Sequence, residues 1–512
     1  MQGRKNYTEK LFTSFQLSDR VPKDNFYRRL RESLDLNSIY KDTSELYGST
    51  GNPSIDPVVF FKLMLTGYLE NITSDRKLVE HCSMRMDILY FLGYDIDEPL
   101  PWHSTISRTR QLYPAEVFEM LFNKVFTMCV QKRMVSGHTQ AVDSAPVKAN
   151  ASMESIKLKK PFQSIERHFE IVDIENQPPA LTPPTGLITA PQHQLSRVKK
   201  HQDKLRDNPV ASVGASHEKA QLVSNKTHYN PHDPDARISV KPGKARKFNY
   251  HCSMAVDTAA GVISHIQADF ADGRDSQYLP GLASSIQDRL TKDELIMTDL
   301  VADAGYSNGY NYQFLEKQNI SAWIPVFGMY KPEVEGFLYD NEIDQFSCPM
   351  GKLLSFKALE YNADGKPMKA YWASRKDCMS CILKATCAPN TGCKRIVRTA
   401  FDPEYQRAYI RQHSRRGKRM KRVRQSTVEP VFGSLVQYYG LNKINVLGKE
   451  GAHKNMLMAA IAFNIKKYLK TTKRKVVINA AMEPSCTKIN KYARLATFLA
   501  SSSLFLPVNA NT

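Results

Sequence analysis

The sequence contains no apolar run long enough to cross a bilayer. The longest near the C-terminus, Met456 to Phe463, is far short of the roughly 20 residues that a membrane-spanning helix needs. The first ten residues, MQGRKNYTEK, contain no apolar signal core, so we expect a non-secreted, cytoplasmic protein with no membrane partner. Cysteine is scarce as well. Nine residues, an odd number, fit a reducing compartment and a metal site better than a disulfide framework.

Acidic residues are outnumbered by basic ones. The 512 residues include 51 Asp and Glu against 71 Lys and Arg, for a formal net charge of +20. A protein this basic usually meets a polyanion, either nucleic acid or an anionic membrane surface. Hydrophobic residues make up 42%, which excludes disorder of the whole chain. The length is typical of two to four domains.

Changes of composition predict five segments, and no internal repeat is visible. The first is helical and the second alternates strands and helices, as in an α/β domain with a mixed sheet. The third holds most of the cysteines and is too short to build much core of its own. The segments are residues 1–135, 136–336 (with a polar excursion over 153–235), 337–400, 401–470 and a tail over 471–512.

Two features of the N-terminal helices are informative. Asp56 followed by Pro57 predicts a capped helix start, and Ser74 to Leu92 has the spacing of one further helix. A Ser/Thr cap after Trp102 would begin a short helix that presents Arg108 and Arg110 to DNA phosphates. The plainer alternative is one more solvated helix of a bundle.

Carboxylates stand at the ends of predicted elements of the second and fourth segments. Asp143 ends one strand, Asp303 ends a strand predicted from Glu294, and Glu429 begins a helix. Two such strands in one sheet bring side chains within reach of a shared Mg²⁺ or Mn²⁺. Three carboxylates holding two such ions are the usual device of phosphodiester chemistry. A lone aspartate at a strand end is more often a turn or cap residue, so placement alone is weak evidence.

Other aspartates of the same strands serve as comparisons. A hairpin is predicted from Phe248–Asp257 and Val262–Asp269. Asp257 and Asp269 lie on this hairpin and Asp299 lies on the strand predicted from Glu294; all three serve as controls for the choice of Asp143 and Asp303.

Four cysteines of the third segment have the spacing of a zinc site. Cys378 and Cys381 form a Cys-x-x-Cys pair, with Cys348 before it and Cys387 after it. Four thiolates suit a closed, structural Zn²⁺ site. Free buried cysteines are the alternative, and Cys393 is a spare that could replace Cys387.

A dense basic run precedes Glu429. A charge run is usually a solvated face, but one that adjoins a candidate metal site favours contact with a phosphate backbone. The residues predicted to bind DNA there are Arg415, Arg416, Lys418, Arg419, Lys421, Arg422 and Arg424.

Three stretches of the sequence resemble the acidic motifs of DDE transposases of bacterial insertion sequences. They are the AVDSAPVKANAS stretch around Asp143, the VADAGYS stretch around Asp303 and the TVEPVFG stretch around Glu429. The similarity is greatest to the insertion-sequence family numbered eleven-eighty-two, within the wider IS4-like group. The helical N-terminal block and the cysteine-rich insertion before the glutamate are also typical of that family.

The resemblance implies an RNase H-like mixed-sheet core with Asp143, Asp303 and Glu429 as Mg²⁺ ligands. It also implies cut-and-paste movement of a DNA element by a chain that binds the element's terminal inverted repeats and target DNA, with at least two protomers joining two ends, and thus a homodimer. Two positions depart from the family. The Arg four residues before the glutamate and the Lys seven after it are here Gln425 and Val436.

Two other functions remain open from the sequence. One is a non-catalytic DNA-binding relative, which loss of an acidic motif residue would favour, although all three are present. The other is a nuclease that uses the same core and only hydrolyses DNA. Joining of a 3′-hydroxyl end to a target plasmid distinguishes a transposase from both.

Overall fold

A computed structural model describes residue 5 and residues 14–48, 54–161, 188–207, 223–239, 246–328, 330–362 and 365–481. Two compact units are distinguished, Met1–Ile465 and Lys466–Thr512. Most of the predicted tail, and residues 162–187 and 208–222 of the polar excursion, lie outside the described residues. Among the helices that are described, none is both long and apolar enough to cross a membrane.

Eight α-helices precede the first strand in the described part of the chain. The Asp56 carboxylate accepts hydrogen bonds from the backbone N–H groups of Val58 and Val59 at 2.7 and 3.1 Å, so the predicted cap before Pro57 is confirmed. The helices are α1 (Leu17–Arg20), α2 (Phe26–Ser33), α3 (Ser38–Thr43), α4 (Pro57–Leu69), α5 (Asp75–Ser83), α6 (Met86–Leu92), α7 (His103–Leu112) and α8 (Ala115–Gln131).

Two details of these helices differ from prediction. The helix expected from Ser74 to Leu92 is broken into α5 and α6, because Arg85 adopts an extended conformation and pairs with Asp87. The start of α7 has no Ser/Thr cap. Its capping position is Trp102, which supplies no side-chain hydrogen bond, and the hydroxyl residues lie inside the first turn.

A six-stranded mixed sheet forms the centre of the molecule. The predicted hairpin is confirmed: β7 (Lys247–Asp257) and β8 (Val262–Phe270) pair antiparallel. β1 (Thr139–Lys148) lies antiparallel to β7 on one side and parallel to β9 (Asp299–Val301) on the other. β10 (Ser321–Trp323) extends the sheet parallel to β9, and β6 (Arg237–Ser239) pairs with the start of β7.

Smaller elements complete this region. Two short pairs join β2 (Lys157–Leu158) to β5 (His228–Tyr229) and β3 (Lys160–Pro161) to β4 (Thr189–Ala190). The helices are α9 (Gln192–Asp207), α10 (Asp275–Lys292), which packs on β7 and β8, and α11 (Gly309–Lys317).

The strand predicted from Glu294 to Asp303 is much shorter, since β9 begins only at Asp299. Glu294 has a φ of 58°, and the N–H of Leu295 bonds to the carbonyl of Leu290 at 2.9 Å. These contacts close the C-terminus of α10 in a left-handed cap, so the apolar residues that follow connect the helix to the sheet instead of extending the strand.

The cysteine-rich segment folds around a second, five-stranded antiparallel sheet. Its strands are β11 (Leu338–Asp340), β12 (Gln345–Ser347), β13 (Leu353–Tyr361), β14 (Pro367–Ala373) and β15 (Arg395–Thr399), with two short helices, α12 (Arg375–Met379) and α13 (Lys384–Cys387), between the last two. Phe346, Leu354 and Tyr371 are buried at its centre. The expectation that this segment builds little core is therefore wrong, because aromatic side chains from neighbouring strands cover one another.

Three helices follow the second sheet: α14 (Asp402–His413), α15 (Arg415–Tyr438) and α16 (Gly448–Ala481). The helix expected to begin near Glu429 begins at Arg415. The Ser414 hydroxyl accepts a hydrogen bond from the Gly417 N–H at 2.9 Å and caps it. Because Arg and Lys are good helix formers, the basic run and Glu429 share this single helix. α15 packs against β1.

Buried polar contacts attach the N-terminal helices to the sheet. Arg289 of α10 donates hydrogen bonds to Glu119 and Asn123 of α8, both at 2.6 Å. Glu119 also accepts from His453 of α16 at 3.0 Å. Arg289 is 8% exposed, so losing one partner would leave a buried charge unpaired.

Candidate active site

The sheet brings Asp143 and Asp303 to neighbouring positions. Ala141 of β1 pairs in parallel register with Val301 of β9, and each aspartate lies two residues further along its chain. Asp303 stands just beyond β9, where its carboxylate accepts a hydrogen bond from the Gly305 N–H at 2.8 Å and caps a turn of 3₁₀ helix. The proximity expected of these two side chains follows from parallel pairing. The prediction that Asp143 ends its strand is wrong, because β1 continues in register with β7 as far as Lys148 and Asp143 lies midway along it.

The Asp143 carboxyl group lies in a partly buried environment. Its side chain is 19% exposed, and burial, together with the nearby charge of Asp303, raises its pKa above the ordinary value, while Arg424 opposes the shift. The Asp143 Oδ1 atom accepts a hydrogen bond from the Ser144 N–H at 2.8 Å. Oδ2 is held by an arginine of α15.

That arginine, Arg424, connects two of the three predicted ligands. Its Nη1 donates to Asp143 Oδ2 at 2.9 Å and its Nη2 donates to Glu429 Oε1 at 3.2 Å. The Arg424 side chain is only 12% exposed, whereas that of Glu429 is 53% exposed. The side chains of Asp143 and Glu429 therefore lie on opposite sides of one guanidinium group.

A cleft of ≈ 180 Å³ adjoins this group. Asp303 and Trp323 lie on the sheet side, and Arg411, Lys421 and Arg424 lie on the helix side. Arg411 donates to Glu316 at 2.6 Å, while Lys421 is exposed. A cleft with basic side chains facing an acidic group has the charges needed to bind a phosphate next to a cation site.

Sequence reasoning missed a fourth acidic residue. Asp275, at the start of α10, lies 3.1 Å from His251 Nε2. A Cβ placed on Gly305 would lie 2.8 Å from Asp275 Oδ2 and 3.0 Å from Asp303 Oδ1, so only glycine fits between the two carboxylates. Asp275 directly precedes the helix predicted from Ser276, and a first-turn acid after a strand was the available signal.

A buried tyrosine faces the same carboxylates. Tyr306 is fully buried, and burial holds its pKa well above the ordinary value. The charges of Asp275, Asp143 and Asp303 act in the same direction. The phenol therefore remains a neutral group beside three acidic side chains.

The basic residues of α15 differ in their surroundings. Arg416 donates to Asp299 at 3.1 Å and covers the ring of Trp323, and Arg424 binds the carboxylates described above. Those that are exposed on the helix surface are Arg415, Arg416, Lys418, Arg419, Lys421 and Arg422. All but Arg424 can meet a DNA backbone without moving the helix.

The two arginines of α7 also differ. Arg108 is exposed. Arg110 pairs with Asp75 of α5 at 2.5 Å through a side chain that is 13% exposed. A phosphate contact from Arg110 would require this ion pair to break, whereas Arg108 needs no such change.

The four predicted zinc ligands line one cavity of the cysteine-rich segment. Cys348, Cys378, Cys381 and Cys387 all border it. The N–H of Lys352 points at Cys348 Sγ and the N–H of Lys394 at Cys378 Sγ, each at 3.4 Å. Such N–H donors suit thiolates better than neutral thiols. Cys393 packs against the core of the second sheet, as Cys348, Cys378 and Cys387 also do, but it does not line this cavity.

The fit of these side chains to metal ions can be judged from their chemistry. In the part of the chain that the structure describes, no group of three or more His, Cys, Asp or Glu is already arranged to hold an ion. Asp143, Asp303 and Glu429 offer the carboxylate oxygens that Mg²⁺ and Mn²⁺ prefer. The Arg424 guanidinium already places a positive charge between two of them, so the donor set fits a cation.

Comparisons with known proteins agree on one class. A family model described as a transposase domain matches residues 15–112, and one described as a transposase DDE domain matches residues 347–469, including Glu429. No curated protein matches the sequence significantly. Among solved structures, the cryo-EM structure of a piggyBac transposase synaptic complex with hairpin DNA matches at 12% identity and a TM-score of 0.27, over 94% of this chain and 84% of that one. That TM-score is too low to carry an argument. The two family matches, one at the N-terminal helices and one around α15, support a DDE transposase.

Proposed function

We propose that the chain is a transposase that binds the terminal inverted repeats of an insertion sequence and catalyses metal-dependent DNA strand cleavage and strand transfer. The observation that carries the proposal is the meeting of Asp143 on β1, Asp303 just after β9 and, through Arg424, Glu429 on α15. The family numbered eleven-eighty-two and a cytoplasmic location on bacterial DNA belong to the same proposal, as does a homodimer that joins two element ends.

An RNase H-like core is part of the proposal and is supported by the strand order. β1, β7 and β8 lie side by side and antiparallel, with β2 to β6 inserted between β1 and β7 in the chain, and the parallel strands β9 and β10 continue the sheet from the other edge of β1. This order leaves β1 in the middle of the sheet, and Asp143 lies midway along that strand.

In the proposed mechanism the residues of the chain bind and orient the DNA. Asp143, Asp303 and Glu429 would hold Mg²⁺ or Mn²⁺, two ions for each site. When bound, such ions supply activation of the attacking water or 3′-hydroxyl and stabilisation of the leaving oxygen. Lys421 and the other exposed cations of α15 bind the phosphate backbone beside the cleft, and Arg108 of α7 contacts the element end.

The proposal predicts that D143N, D303N and E429Q each abolish cleavage and joining. Each change removes a charged ligand and keeps the side-chain shape. Binding of the terminal repeat should change less than twofold, because all the basic side chains that contact DNA are kept. Purified variants, assayed for joining of a 3′-hydroxyl transposon end to a target plasmid in Mg²⁺, provide the measurement, with a gel-shift assay for binding.

D299N is the comparison for the choice of the second aspartate. Asp299 starts β9, where Trp323 and Arg416 donate to it, so its loss should weaken the packing of α15 and reduce activity only partly. If D299N abolishes cleavage and D303N does not, Asp303 is the wrong residue. Cleavage at the native rate by all three triad variants would refute the DDE assignment.

We also propose a structural Zn²⁺ at Cys348, Cys378, Cys381 and Cys387, supported by their common cavity and two N–H···S contacts. Protein purified without chelators should contain about one zinc per chain by elemental analysis. Because the second sheet has its own buried aromatic residues, chelation should loosen α12 and α13 and leave β11–β15 folded. The C381S variant should lose the zinc, whereas C393S should keep it. Metal-free protein with all four thiols freely titratable would contradict the site.

A further inference from the structure

We propose that Arg424 is an internal counter-ion that a divalent cation must displace from Asp143 and Glu429. This inference rests on the proposed function, since it assumes that those carboxylates bind metal. It assigns to Arg424 a role in the metal-free protein, in which the guanidinium keeps two like charges together beside β1.

The contacts of Asp143 show why the arginine and a metal compete. Of its two carboxylate oxygens, Oδ1 accepts the Ser144 N–H at 2.8 Å and Oδ2 accepts Arg424 Nη1 at 2.9 Å. A metal ligand bond to oxygen is about 2.1 Å long for Mg²⁺. A guanidinium nitrogen and a dication that approach Oδ2 from the same open side would repel each other strongly, so one replaces the other.

The contact between Arg424 and Glu429 would be lost in the same displacement by a metal ion. Arg424 Nη2 holds Glu429 Oε1 at 3.2 Å, and both residues lie on α15. Glu429 is therefore turned toward Arg424, and no group of three carboxylates converges among the described residues. Release of Arg424 would free Oδ2 of Asp143 and Oε1 of Glu429 in one step.

The neighbouring cleft can accept the Arg424 side chain after its displacement. Arg424 borders the cleft that Arg411 and Lys421 also line, and arginine is long enough to rotate into it without movement of α15. Once there, its five N–H donors face the space in which a phosphate would lie. Metal entry would thereby convert a carboxylate-binding arginine into a phosphate-binding one.

Metal binding to the full-length protein without DNA tests the exchange. Titration with Mn²⁺, followed by calorimetry and by the electron paramagnetic resonance signal of free Mn²⁺, gives the affinity of wild type. R424Q should bind Mn²⁺ about tenfold more tightly, because the energy of a charge-assisted hydrogen bond no longer opposes the ion. R424K should tighten binding severalfold, since a lysine cannot bridge two carboxylates.

R411Q is the matched control. Arg411 has the same charge and borders the same cleft, but it pairs with Glu316, so R411Q should alter Mn²⁺ affinity less than twofold. Unchanged or weaker binding in both R424Q and R424K, or an equal gain in R411Q, would overturn the inference. The D143N variant distinguishes a failure of this inference about Arg424 from a failure of the proposed function. If wild type binds no more Mn²⁺ than D143N does, the metal site itself is absent.

Discussion

At the scale of single residues, Asp257 shows how a buried carboxylate can support the site without taking part in chemistry. It is fully buried, and its oxygens accept from the N–H of Gly137 at 2.8 Å and from Gln140 Nε2 at 2.9 Å. Ala259 N–H donates to it at 2.9 Å. These bonds hold the start of β1 to the end of β7, and β1 is the strand that carries Asp143.

We predict that D257N lowers the free energy of unfolding by about 2–3 kcal/mol. The new amide group turns an acceptor into a donor that faces N–H donors, and buried donors without acceptors are costly. Urea denaturation of the two proteins measures the loss. D288N, at an exposed position of α10, is the control and should lie within about 0.5 kcal/mol of wild type. Equal stability of D257N and D288N would refute this role.

Single residues were predictable from the sequence only where their role is local. Asp143 could be chosen because it follows the apolar residues Ala141 and Val142, although the strand itself continues to Lys148. The structural roles of Asp257 and Asp299 were not predicted, because their partners come from distant parts of the chain: Gln140 for the first and Arg416 for the second. No spacing in the sequence reveals the approach of His251 to Asp275.

At the scale of elements, the junction of α14 and α15 fixes the helix that carries Arg424 and Glu429. Ser414 is the only residue between the two helices. A Cβ placed on Gly417 would lie 2.0 Å from the Arg411 carbonyl oxygen. The first turn of α15 can therefore pack on the end of α14 only because residue 417 has no side chain.

We predict that G417A lowers the free energy of unfolding by more than about 2 kcal/mol, since the helices must separate or bend. G433A lies in the same helix with nothing within 4 Å of an added Cβ and should stabilise the protein by up to about 1 kcal/mol. Thermal and denaturant unfolding distinguish these opposite signs. Stabilisation by both substitutions would mean that the junction tolerates a side chain.

Elements with local signals were predicted well. The cap at Asp56 and the hairpin of β7 and β8 depend on residues adjacent in sequence, and both are confirmed. The length of β9 was overestimated because Glu294 forms a left-handed helix cap. The apolar residues after it connect that cap to the sheet, although their composition is typical of a strand. The start of α15 was predicted too late in the sequence because the dense basic run was interpreted as a solvated segment. The hydrogen bond that identifies Ser414 as the N-cap is visible only in the structure.

At the scale of the whole molecule, the order of strands explains why the site could be assembled only partly from sequence. The two aspartates are 160 positions apart by their numbers and become neighbours through parallel pairing of β1 and β9. Carboxylates at strand ends predicted that neighbourhood. The approach of α15 to β1 depends on packing between distant segments, so the bridging position of Arg424 had no sequence signal.

The excess positive charge gives a prediction for the whole molecule, because phosphate contacts release counterions and make DNA affinity fall with salt. Lys418, Arg419 and Arg422 are exposed on α15. Their simultaneous replacement by Gln should flatten the slope of log K against log salt by about 2–3, near the 0.9 per contact expected of duplex DNA. Fluorescence anisotropy with a labelled duplex at several salt concentrations measures this slope.

A control triple variant replaces Lys292, Lys317 and Lys376, which are exposed outside α15, and loses the same net charge. If both triple variants change the slope equally, general charge attracts the DNA and α15 is not its binding surface.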